Sequence, residues 1–117
     1  MNISDLGSAM GFECLHEAWD DRPLTDGYAS DLLSDVMAKA GDDCVLVTIQ
    51  AHKNTVAVAS LVGIAAVVLC NARTVPDDML EAAKAERVAL FRTGMTQFQV
   101  SGILYAALRG GAPAPGR

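Results

Sequence analysis

The 117-residue chain holds 9 Lys and Arg against 14 Asp and Glu, a formal charge of -5, and 51% of its residues are hydrophobic. That suits one domain with a core of its own, and it sets aside a nucleic-acid partner, because the cations are scattered and an acidic surface repels a phosphate backbone. It sets aside a membrane span too, since the charge-free run from Thr55 to Cys70 falls short of the roughly 20 residues that cross hydrocarbon.

The first residues, MNISDLGSAM, lack the basic and long apolar stretches of a signal peptide, so a cytoplasmic domain is expected. Cys14, Cys44 and Cys70 stand far apart among apolar neighbours, which predicts reduced thiols rather than disulfides, zinc or an iron–sulfur cluster.

In chain order, Ile3, Leu6 and Met10 recur at helical spacing, with Gly11 placed to end a short helix. Phe12 to Glu17 predicts a strand with no clean apolar face. From Trp19 through Gly27 the sequence is rich in turn residues. Leu32, Leu33, Val36, Met37 and Ala40 then share one face of a helix that Ser30 or Asp31 would cap and Gly41 would stop. Cys44 to Ile49 is a strand covered on both sides. Asn54 is expected to cap a helix over Thr55 to Val62, followed by a buried strand from Ala65 to Cys70.

Thr74, with Pro76 and Asp77 behind it, predicts another helix start, and Val88 to Phe91 a further strand. Thr96 and Gln99 form a capping box. The helix they open carries a stripe of Val100, Ile103, Leu104, Ala107 and Leu108, and ends at Gly110 and Gly111. The domain thus covers residues 1–109, and the tail 110–117, rich in Pro and Gly, is expected to be disordered. Strands alternating with helices predict an α/β fold: a single domain with a mostly parallel central sheet of about four to five strands and helices on both faces.

In such a sheet ligands bind beyond the carboxyl ends of the strands. This rule gathers Gln50, His52, Lys53 and Asn54 after one strand, Asn71, Arg73 and Thr74 after the next, and Arg92, Thr93 and Thr96 after the last. Backbone amides at the helix starts, helped by Lys53, Arg73 and Arg92, suit an anionic group such as a phosphate or carboxylate. The candidate ligand-binding set is Thr48, Gln50, His52, Asn54, Asn71, Arg73, Thr93, Thr96 and Asp31. The competing reading is that these residues only cap helices and face water.

Catalytic signals are weak. His52 has no carboxylate close to it in sequence. Asp31 and Asp35 lie one helical turn apart, an arrangement open to a metal or an acid/base pair, or else to a cap and a surface charge. Cys70 would be a nucleophile only with a base beside it. Phosphate-loop, dinucleotide, α/β-hydrolase and zincin motifs are missing. Neither a cofactor nor a metal is expected, and no catalytic residue is assigned.

The wording GYASDLLSDVM over Gly27 to Met37, then VTIQAHKNTVAVASL, then LFRTGMTQFQVSGIL, resembles the stand-alone DRTGG-domain proteins from about Gly11 to Leu108. Two places differ from that family. Its name-giving motif is here Gln50-Ala51-His52-Lys53-Asn54, and the glycine pair after the following strand is replaced by Asn71-Ala72-Arg73. Relatives of this kind accompany iron-only hydrogenase genes, and similar domains are fused to pyrophosphatases with CBS domains, phosphotransacetylases and HPr-kinase-like proteins. The resemblance implies a regulatory, homodimer-forming module, tied in the pyrophosphatases to adenine nucleotides. The function expected is therefore a non-catalytic, ligand-sensing regulatory domain for an anionic small molecule or nucleotide. The alternatives are an interaction adaptor for a hydrogenase or other redox complex, and a small phosphoryl-transfer or hydrolase enzyme using His52.

Overall fold

The computed structural model describes residues 1–110. Among them β1 (Glu13–Cys14), β2 (Asp26–Ala29), β3 (Cys44–Thr48), β4 (Ala66–Leu69) and β5 (Ala89–Arg92) make one sheet in the order β1-β5-β4-β3-β2. β2 through β5 are parallel, and β1 closes one edge antiparallel to β5. The helices are α1 (Asp5–Ser8), α2 (Leu33–Lys39), α3 (Lys53–Val62), α4 (Asp77–Glu86) and α5 (Gln97–Leu108). This is the expected α/β fold with a mostly parallel sheet.

Strand order advances one way from β2 to β5, so right-handed crossovers put the connecting helices α2, α3 and α4 on a single face. The two-residue period of the strands then divides the core. Leu46, Val67, Leu69 and Leu90 pack with Val36, Val56, Ala59, Met79 and Ala83 of those three helices. Their alternates Val45, Val47, Val68 and Phe91 pack on the other face with Ile3 and Leu6 near α1 and Val100 and Leu104 of α5. Every residue of β3 is buried, which is why its sequence is an unbroken apolar run. Each such Leu or Phe contributes about 1.5 to 3 kcal/mol by leaving water.

Five local expectations need correction. The stretch read as turns up to Gly27 ends in a strand, β2, whose Asp26 and Gly27 are poor strand formers. Pairing with β3, with Gly27 opposite Val45 and Tyr28 opposite Leu46, overrides that propensity. β1 is only two residues long because the chain turns inward after it: His16 Nε2 donates to the Val88 carbonyl at 2.8 Å, and His16 Nδ1 accepts the Ala18 amide at 3.0 Å. Trp19, held by its indole N–H on the His16 carbonyl, packs tilted on Phe91 with ring centroids 6.0 Å apart.

The caps also shift. His52, not Asn54, caps α3, its Nδ1 accepting the Asn54 amide at 3.0 Å. Pro76 occupies the cap position of α4 without a side-chain bond, and Leu32 that of α2, so neither Thr74 nor Asp31 caps a helix. The Thr96–Gln99 capping box forms as expected. In the stripe of α5 only Val100 and Leu104 are fully buried, while Ile103 is 36% exposed. Gly110 ends this helix with φ +95°. The rest of the tail expected to be disordered lies outside the described residues. No helix among the described residues is long and apolar enough to cross a membrane.

Candidate functional site

The carboxyl ends of the parallel strands are knit together by one acidic side chain. Asp31, just past β2, accepts the Thr48 hydroxyl at 2.8 Å and the Ile49 amide at 2.9 Å, both at the end of β3. The same oxygen, Oδ1, accepts Gln97 Nε2 at 3.0 Å from the first turn of α5. Asp31 is thereby fixed to two elements, β3 and α5, and the Thr48 hydroxyl in turn accepts the Gln50 amide at 3.1 Å. Thr55 then donates to the Gln50 carbonyl at 2.8 Å, so the β3–α3 loop is anchored at both ends.

An open cavity of about 640 Å³ lies between that loop and the β4–α4 loop, lined by Ile49, Gln50, Ala51, Asn71, Arg73 and Thr74. Its floor is held in an unusual conformation. Asn71 (φ +60°) and Ala72 (φ +52°) are successive left-handed residues. Asn tolerates this region, but an alanine there is strained. The loop is kept in place from outside, because the Asn71 amide donates to the Met95 carbonyl at 2.9 Å and the Ala72 amide to the Thr93 carbonyl at 2.8 Å. Thr93 Oγ1 accepts the Met95 amide at 3.2 Å, which stiffens this second loop. Strain of this kind persists only where surrounding structure enforces it, and it concentrates at ligand sites.

The residues singled out from sequence separate into groups. Gln50, Asn71 and Arg73 line the cavity. Asp31, Thr48 and Thr93 stand behind it as supports. Thr96 is engaged in the α5 cap. His52 is engaged in the α3 cap, and Asn54 lies in a separate groove between α3 and α4 with Lys53. Of the three cations expected near the strand ends, Arg73 alone lines the cavity, because Arg92 forms a two-pronged pair with Glu13 across β5 and β1 at 3.0 and 3.2 Å. Asp77 and Asp78 in the first turn of α4 offset the positive end of that helix. Gln97 was not singled out from sequence, since its tie to Asp31 spans 66 residues.

Two of the residues weighed for catalysis are engaged in other contacts or buried. Asp35 accepts the Tyr28 hydroxyl at 2.7 Å, away from Asp31, and this bond holds the phenol above its ordinary value. Cys70 is buried, and that burial, with the Asp31 carboxylate second, pushes its thiol up to about 11, far from a thiolate at neutral pH. Among the described residues there is no group of three or more His, Cys, Asp or Glu placed to hold a metal ion. What the cavity offers is one guanidinium, two carboxamides and a hydroxyl, a set that can orient a polar or anionic small molecule by hydrogen bonding.

No family model and no curated protein matches this sequence. Among solved structures, the chain is similar to the CBS and DRTGG domains of the regulatory region of Clostridium perfringens pyrophosphatase, in complex with the activator diadenosine tetraphosphate. The TM-score is 0.68 at 8% identity, over 95% of this chain and 47% of that one. The chain has a DRTGG-like fold. It spans less than half of that regulatory region, and at this identity the likeness concerns the backbone alone.

Proposed function

We propose that this protein is a non-catalytic regulatory domain that senses a small anionic ligand, an adenine nucleotide or another phosphorylated molecule, in the cavity between the β3–α3 and β4–α4 loops. The observation that carries this reading is the strained Asn71–Ala72 pair, clamped by the Thr93 and Met95 carbonyls and followed by Arg73 at the cavity wall. A loop held in a left-handed conformation next to a cation and two carboxamides is preorganised for a ligand rather than for packing. Further support is the fold shared with a regulatory region that carries a nucleotide activator.

Ligand occupancy would act on the rest of the domain through Gln50, whose amide leads to Thr48 and Asp31 and from there to Gln97 at the head of α5. The test is a thermal-shift screen of AMP, ADP, ATP, diadenosine tetraphosphate and inorganic phosphates. A saturable rise in melting temperature is expected for the wild type and its loss in Arg73→Ala. Failure of every compound to shift the wild type would remove the reading.

A further inference from the structure

The cavity between the β3–α3 and β4–α4 loops holds one positive charge and stands in a negative field. Arg73 is the only ionisable residue that lines it. Its side chain is exposed and forms no ion pair among the described residues. The other two cations of this end are committed elsewhere, Lys53 in the groove between α3 and α4 and Arg92 on Glu13. Carboxylates surround the one that remains. Asp77 and Asp78, both exposed, follow Arg73 in the first turn of α4. Asp31 stands behind Gln50, accepting the Ile49 amide at 2.9 Å. Its charge is felt at the cavity floor, since after burial it is the second cause that raises the thiol of Cys70, the residue before Asn71. The chain as a whole adds a formal charge of -5.

We propose that the ligand of this cavity carries a single negative charge on an oxyacid group, a phosphodiester or a carboxylate, and that di- and triphosphates are turned away. This inference rests on the ligand-sensing reading and narrows it. A guanidinium donates two parallel N–H bonds to two oxygens of one such group and balances one charge. A further charge on the same ligand has no cation left to meet, and the neighbouring carboxylates repel it. Size does not set the limit. The open cavity of about 640 Å³ lies within the range of sites that hold ligands of this kind.

The carboxamides suit the neutral part of such a ligand. Gln50 Nε2 donates to the Asp31 carbonyl at 3.3 Å, which leaves the Gln50 side-chain oxygen and its second amide hydrogen for a ligand, and Asn71 is exposed on the facing loop. A side-chain amide offers donor and acceptor side by side, the pattern that matches the N6 and N7 edge of adenine. A nucleoside joined to one monoanionic group thus engages the guanidinium and the carboxamides together.

Titration calorimetry of the full chain with one nucleoside in several charge states reads this directly. The probes are cyclic AMP, adenosine-5′-carboxylate, AMP, ADP and ATP. Affinity is expected to be highest for the first two and to fall by about twofold or more for each charge added beyond one. Whichever of those two binds more tightly assigns the group as phosphodiester or carboxylate. Raising the salt to about 0.15 M, where the Debye length is about 8 Å, is expected to narrow the gap between cyclic AMP and ATP, which a gap due to size would not do. The exposed pair Asp77→Asn with Asp78→Asn is expected to strengthen ATP binding more than cyclic AMP binding. ATP binding as tightly as cyclic AMP, or a gap that neither salt nor the double variant alters, would overturn the single-charge limit and leave the ligand-sensing reading standing. Silence from all the probes removes both.

Discussion

The Asp31 carboxylate accepts the Thr48 hydroxyl at 2.8 Å and so ties the exit of β2 to the exit of β3 across 17 residues of chain. Thr48 is fully buried, and the same carboxylate serves Ile49 and Gln97. Removing it leaves a buried hydroxyl and a backbone amide to find new partners. Asp31→Ala is expected to lower stability by about 1 to 3 kcal/mol in urea unfolding, with Asp31→Asn closer to the wild type because its amide oxygen still accepts. Equal stability of wild type and Asp31→Ala would show that this node contributes nothing.

Ala72 holds φ +52° between two backbone anchors. A left-handed alanine costs about 1 to 2 kcal/mol, whereas glycine adopts that region freely and loses about 0.5 to 1 kcal/mol of that advantage to chain entropy. Ala72→Gly should therefore raise stability slightly, and Ala72→Val should lower it by well over 1 kcal/mol, since a β-branched residue fits this region worst. Calorimetric melting of the two variants decides it, and the reverse order would refute the strain.

Gly63 ends α3 at φ +84°, with its carbonyl accepting the Asp43 amide at 2.8 Å. A Cβ at this position would collide with the Asp42 carboxylate. Gly63→Ala is expected to cost at least about 1 to 2 kcal/mol from backbone conformation alone. Adding Asp42→Gly should recover only the collision, and full recovery in the double variant would mean the backbone term is absent.

The thiol of Cys70 keeps its proton up to about 11 in the folded protein, against an ordinary value of 9.0. Between those values the folded state holds a proton that the unfolded chain releases. Stability from this group is thus complete below pH 9 and declines as the pH rises toward 11. The decline should be shallower in Cys70→Ala than in the wild type when urea midpoints are followed over that range. At neutral pH a maleimide should label Cys14, which is exposed, long before the buried Cys44 and Cys70.

Much of this architecture was legible in the chain itself. The unbroken run from Cys44 to Thr48, the Thr96–Gln99 box and the glycine after α1 are local signals, and local signals survive folding because the residues concerned meet within one turn of helix or one strand. β2 was hidden, because Asp26 and Gly27 disfavour strands and only the fully buried β3 beside them supplies a reason to extend. His52 and Asp31 exchanged their expected roles for the same cause. A cap depends on loop geometry, and the path of each loop is set by what it docks against. Sequence alone determined the class of fold and the polar residues that gather at the carboxyl ends of the strands. Tertiary structure alone decided which of them meet, since Gln97 reaches Asp31 across 66 residues and the left-handed Asn71–Ala72 turn exists only because carbonyls from the next loop hold it.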